Sequence, residues 1–190
     1  MLAMVAAALV GVIAWQVAQP PDEPVYKGKR LSAWLEPNSV TAGQATEDAV
    51  RQAGTNAIPT LLRMLRAKES PMKINLMRLV QKQHIFKVHY SPAWELNSMG
   101  SFGFSVLGTN AQSAVPELIE IANRNISPHS QTCAIFSLGC IGPSAKAAVP
   151  SLLRWAVTNA NRTAPFATDA LFRIDPAAAA KAGIIGGLKP

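Results

Sequence analysis

Chemistry in this 190-residue sequence would be sought first at its two cysteines, its three histidines and one pair of neighbouring glutamates. Cys133 and Cys140 lie seven apart in a stretch with helical patterning. That spacing is a rise of roughly 10.5 Å along a helix, whereas a disulfide needs Cα atoms within about 7 Å, so the two cannot bridge each other. No further cysteines supply a zinc-ligand spacing or a secreted-type framework. They read as small core thiols, and as nucleophiles only if exposed with a lowered pKa. His84 and His89 are five apart, which misses the i, i+4 spacing of a helical metal pair. His129 stands alone beside Pro128. Glu117 and Glu120, three apart on one helical face, fit a solvated pair better than an acid and a base. No GxSxG, HExxH or phosphate-binding glycine loop occurs. The expectation is a protein without catalytic residues, cofactor or metal.

Charge gives a different candidate. The net charge is +7, and it is concentrated in one region. From Arg51 to Tyr90 the sequence carries Arg51, Arg63, Arg66, Lys68, Lys73, Arg78, Lys82 and Lys87 against a single acid, Glu69. These eight are a candidate basic binding surface for a polyanion: nucleic acid, anionic lipid or wall polymer. A solvated helix surface accounts for the same composition.

Three elements must position any such site. The first is the amino terminus, where Met1 to Trp15 contains no charged or polar side chain. With Gln16, Val17 and Ala18 the run reaches 18 residues, near the lower limit for crossing a bilayer core. Trp15 sits where an interfacial aromatic is expected. A cleaved signal peptide and a buried helix are the competing readings. No basic n-region precedes the run, and Gln16 with Ala18 makes a poor cleavage site. Residues 1–18 are therefore expected to be a membrane anchor. The Pro-rich stretch after Gln19 opens a linker over 19–29. The repeat domain is expected outside the cytoplasm. Lys27, Lys29 and Arg30 flank the apolar run and supply the cytoplasmic alternative by the positive-inside rule.

The second element is a short helix and loop over 30–44, in which Leu31, Trp34 and Leu35 share one face and cap the first repeat. The third is a repeated phrase, Gly54-TNAI-Pro59-TLLRML, Gly108-TNAQSAV-Pro116-ELIEIA and Gly142-PSAKAAV-Pro150-SLLRWA. The last two copies are offset by 34 residues. After each proline the apolar residues agree: Leu61, Leu118 and Leu152, then Met64, Ile121 and Trp155. Their spacing traces one face of a helix, and each proline suits a first helical turn. Upstream, Ala134, Leu138 and Ile141 recur as Ala167, Leu171 and Ile174, while Phe104 with Leu107 and Val50 with Ala53 hold the last two positions in earlier copies. The pattern predicts helix pairs that bury their apolar faces against the next copy. An insertion over about 70–97 breaks the regularity with a further helical pattern and the aromatic-rich IFKVHYSPAW. The repeat domain spans 45–182, and 183–190 is a tail.

The phrase Ala134-xxx-Leu138-xx-Ile141-Gly142-Pro143, followed by Ala147-Ala148-Val149-Pro150-x-Leu152-Leu153, resembles a HEAT repeat of the bacterial, PBS-lyase-like kind, over roughly Ala45 to Ala182. The segment Tyr26 to Leu35, after a single apolar run, is similar to that of membrane-anchored HEAT proteins of environmental bacteria. The resemblance implies an all-α solenoid of stacked antiparallel helix pairs, here preceded by one apolar helix. It also implies a scaffold role, with a protein or peptide partner held on the concave face. A lyase-like enzyme is the remote alternative, and nothing marks a chromophore site. HEAT arrays favour an acidic residue and an arginine along a ladder between repeats, for which Asp169, Arg154 and Arg162 are the counterparts here.

Overall fold

The computed structural model describes residues 23–36, 43–69, 91–158 and 163–184. Gly54, Gly108 and Gly142 turn the chain in the same way, with φ of 54°, 52° and 71° and ψ of −137°, −130° and −144°. A side chain is strained in that region, so glycine is required there. Each ends a helix, its N–H returning to the carbonyl of Val50, Phe104 or Leu138. A 3₁₀ segment follows in each copy, Gly54–Ala57, Gly108–Ala114 and Gly142–Ala148. The difference in glycine-to-proline interval, expected to be irregular loop, is thus absorbed as tight helical turn.

The elements are β1 (Val25–Tyr26), β2 (Lys29–Arg30), α1 (Leu31–Trp34), α2 (Gln44–Ala53), α3 (Ile58–Leu65), α4 (Ala93–Leu107), α5 (Val115–Arg124), α6 (Pro128–Ile141), α7 (Val149–Thr158), α8 (Ala164–Ile174) and α9 (Pro176–Lys181). Among the described residues the fold is all-helical apart from the β1–β2 hairpin. Pro59, Pro116 and Pro150 fall in the first turn of α3, α5 and α7, where a missing N–H costs nothing. The fourth copy has no glycine. There Asp175 ends α8, and its carboxylate accepts from Ala178 N at 3.0 Å to start α9.

Packing follows one rule. The first helices of the pairs touch in succession, α2 on α4, α4 on α6 and α6 on α8. Each second helix lies against the first helix of the following pair: α3 on α4, α5 on α6, α7 on α8. The repeated apolar positions make these contacts. Leu61, Leu118 and Leu152 are fully buried, as are Ala134, Leu138, Ile141, Ala167 and Leu171; each large side chain contributes about 1.5–3 kcal/mol of transfer free energy. Gly100 occupies the position held by Ala134 and Ala167 in later copies. A Cβ there would lie 2.9 Å from Leu61 O, so α3 approaches α4 more closely than any methyl group allows.

A polar contact repeats in register as well. Buried Asn97 of α4 donates to the carbonyls of Met64, Leu65 and Ala67 at 2.9, 3.0 and 3.1 Å. Gln131 of α6, 34 positions on, donates to Ala122 O at 2.9 Å. Each amide reaches back to the end of the preceding second helix and donates to its last carbonyls.

Several sequence expectations change. Residues 25–29, expected within a linker, form with Arg30 a tight hairpin that has positive φ at Lys27 and Gly28. Helix α4 begins at Ala93, inside the expected insertion of 70–97. The ends of that insertion meet, because the Glu69 carboxylate accepts from Ala93 N at 2.6 Å. Residues 70–90, the expected anchor 1–18 and most of the tail lie outside the described residues. The one described run long and apolar enough to cross a membrane is Pro128–Val157. It is α6 and α7, turned at Gly142 and half buried in the helix packing.

Candidate functional site

The two layers of helices present different chemistry. On the second helices the exposed charges are matched across copies. Arg66, at the end of α3, pairs with Glu117 of α5, and Arg154 of α7 donates to Asn123 Oδ1 of α5 at 2.7 Å. Arg63 pairs with Glu23 at 3.3 Å. That glutamate side chain is only 4 % exposed and also accepts from Ser32 Oγ at 2.7 Å, so the guanidinium neutralises an almost buried charge. Glu120 pairs with Arg124, one turn away at 2.8 Å.

These contacts place the sequence-predicted residues. Of the candidate basic surface, Arg51 pairs with Glu47 at 3.0 Å, Arg63 and Arg66 face carboxylates as above, and Lys68 is exposed. Lys73, Arg78, Lys82 and Lys87 lie outside the described residues, as do His84, His89 and Arg162. Arg63 and Arg66 share the α3 surface, while Arg51 belongs to the last turn of α2. Of the expected ladder, Asp169 bonds Arg173 within α8 at 2.7 Å. Arg154, expected in the ladder, does reach the preceding copy through Asn123, and Arg66 with Glu117 adds a second contact between copies.

The first helices carry apolar surface. Trp94 and Phe102 of α4 remain 58 % and 38 % exposed. They flank Ser98, whose Oγ lies 2.9 Å from His129 Nε2 and 2.9 Å from Trp94 O. Trp94 meets the His129 ring edge-on, with centroids 6.5 Å apart. Ser98 Oγ donates to Trp94 O, and its oxygen also lies beside the His129 ring nitrogen.

Two clefts open beside this ridge. One of about 550 Å³ is lined by Ser101, His129, Thr132, Cys133, Phe136 and Phe166. The other, of about 340 Å³, lies between Trp34 and Leu35 on one side and Met99 and Phe102 on the other, with Glu36 and Glu47 also in its lining. Burial pushes the Cys133 thiol above its ordinary pKa, partly offset by a hydrogen bond with Ser101. Burial also raises Cys140; Arg173 acts against this and Asp169 with it. Both thiols are held in the protonated, unreactive form at neutral pH. No group of three or more His, Cys, Asp or Glu among the described residues is placed to hold a metal ion.

Sequence reasoning overlooked the apolar ridge because it followed only the inward-facing positions of each copy. The signal was available: a tryptophan eight residues before a phenylalanine, with Phe102 recurring 34 positions on as Phe136. No family model, no curated protein and no solved structure matches the chain.

Proposed function

We propose that this chain is a short HEAT-like α-solenoid, tethered to a membrane through residues 1–18, which holds a protein partner without catalysing a reaction. The solenoid reading is supported by the succession of packing contacts and by the in-register amides Asn97 and Gln131, which tie each copy to the one before. The observation that carries the binding role is the exposed Trp94–Phe102 ridge between two clefts. Large apolar side chains left exposed beside open clefts are a feature of interaction sites. The partner surface is thus assigned to the first-helix layer. The second-helix layer, with its charges already matched, offers a partner less to bind.

The cleft beside Trp34 gives the partner's chemistry. An aromatic or branched aliphatic side chain fills its apolar floor, and a neighbouring basic residue meets the exposed Glu36. Polyanion binding would draw on all eight basic residues between Arg51 and Lys87; of these Arg51, Arg63 and Arg66 are each already opposite a carboxylate, and it is the second reading.

Site-specific photocrosslinking in intact membranes tests this. A photoreactive residue at Phe102 should trap one defined partner through a segment that carries both apolar and basic residues, and a probe at Glu120 should not. Equal trapping from both positions, or trapping from Glu120 alone, defeats the assignment. Phe102→Ser and Trp94→Ser should abolish the crosslink-defined complex with helix content unchanged.

A further inference from the structure

We infer that the β1–β2 hairpin is a headgroup-binding knob that rests on anionic phospholipid. Its register places Val25 opposite Arg30 and Tyr26 opposite Lys29, so the two pairs face opposite ways. The inner pair is locked to the following helix. Tyr26 and Trp34 are 5.7 Å apart, Trp34 Nε1 donates to Tyr26 O at 2.9 Å, and Lys29 Nζ sits 4.8 Å over the Trp34 ring. Leu31 N also donates to Pro24 O at 2.9 Å, closing the base of the hairpin. The outer pair sets a valine that is 63 % exposed beside an exposed arginine. Lys27 stands at the tip, its Nζ 5.1 Å from the Tyr26 ring.

Arg30 therefore lies beside a bare aliphatic side chain on one face of the hairpin, with Lys27 at its turn and Lys29 on the opposite face. Among the described residues none of the three makes an ion pair. The nearest carboxylate in sequence that is described, Glu23, is turned inward to Ser32 and Arg63. Cations on both faces and at the turn, with an exposed valine and two aromatic rings on the same small element, suit the polar-to-apolar gradient of a membrane surface. Chain length fixes the distance. Val25 stands seven positions after Ala18, so the hairpin stays within about 25 Å of the end of the apolar run. The inference rests on the membrane tether proposed above only for that proximity.

The test uses the full chain with Val25→Cys carrying an environment-sensitive fluorophore, reconstituted in phosphatidylcholine vesicles with or without one quarter phosphatidylglycerol. The label should shift to the blue, and be quenched by spin-labelled lipid, only where phosphatidylglycerol is present. Lys27→Gln, Lys29→Gln and Arg30→Gln together should lower the bound-to-free ratio about 100-fold, from roughly fivefold per cation, and 0.5 M salt should act likewise. Failure to enter neutral vesicles, with the label still responding to added anionic vesicles, would remove the tether and leave the knob. An equal signal in both lipids overturns the inference. So does an anionic-lipid signal that survives the triple substitution and vanishes with Lys73→Gln, Arg78→Gln, Lys82→Gln and Lys87→Gln.

Discussion

Substituting Gly100 by alanine sets two effects of known size against each other. In an isolated helix the change stabilises by about 1 kcal/mol, since glycine is the poorer helix former. In α4 the new Cβ would meet Leu61 O at 2.9 Å, with Leu65 Cγ and Met64 Cβ at 3.2 Å. A backbone carbonyl cannot rotate away, so α3 must retreat by a few tenths of an ångström. Overpacking of this kind costs about 1–3 kcal/mol, and the retreat also stretches the bonds from Asn97 to Met64 O and Leu65 O. The net expectation is a loss of about 1 kcal/mol, or roughly 2–4 °C in Tm for a chain of this size. Gly103→Ala has a different cause: its Cβ would overlap the Leu61 methyl groups rather than backbone. Leu61→Ala should therefore relieve Gly103→Ala, with a coupling of about 1 kcal/mol, and leave Gly100→Ala nearly additive. Urea titration of the full chain in mild detergent, followed by far-ultraviolet circular dichroism, reads the three single and two double variants. If Gly100→Ala stabilises by its full helix propensity, the close approach of α3 and α4 is wrong.

Asn97→Ala should cost about 2–3 kcal/mol because it strips donors from three carbonyls at a buried helix end, and Gln131→Ala about 1 kcal/mol, both read by the same titration. Arg66→Ala, at an exposed pair, should cost less than about 1 kcal/mol and become silent in 0.5 M salt. Arg63→Ala leaves the almost buried Glu23 without its counter-ion and should cost about 1–3 kcal/mol, part of which Glu23→Gln should restore in the same background. Iodoacetamide should label native Cys140 slowly and Cys133 more slowly still, with rates climbing only as pH passes above the ordinary thiol range. Because folding raises both thiol pKa values, the folded chain binds more protons there. The stability this contributes is complete below the unfolded thiol pKa and lost as pH rises through the folded ones, a trend that Cys133→Ser with Cys140→Ser should flatten.

The repeated Gly-to-Pro phrase carried most of the fold in plain view, because each residue in it has one physical use. Glycine permits the positive φ at 54, 108 and 142, proline starts the next helix, and the leucines at 61, 118 and 152 are the inward face. The hairpin at 25–30 was hidden because two-residue strands have no periodicity to detect. Asn97 and Gln131 are 34 apart and both amides, yet an alignment followed through apolar positions passes over them. Placing residues up to 97 in an insertion hid Asn97 further. The basic region was legible as a sum of charges, but the carboxylates opposite Arg63 and Arg66 were not. The partners of Arg63 and Arg66 stand 40 and 51 positions away, and only the packing of copies brings them together.

Trp34 joins the two proposed sites. Its indole N–H and ring hold the hairpin through Tyr26 O and Lys29, and the same side chain lines the cleft beside Phe102. A lipid headgroup that draws Lys29 from the ring changes one wall of the partner cleft, so the two events share a residue and must be linked thermodynamically. Trp34→Leu keeps an apolar wall but removes both the donor and the aromatic face. It should weaken the anionic-lipid signal at residue 25 and the crosslink at residue 102 together, whereas Lys27→Gln, which leaves Trp34 untouched, should weaken only the first. If Trp34→Leu alters the lipid signal and leaves the crosslink at its original yield, the cleft and the hairpin work independently, and the partner is held by the Trp94 side of the ridge alone.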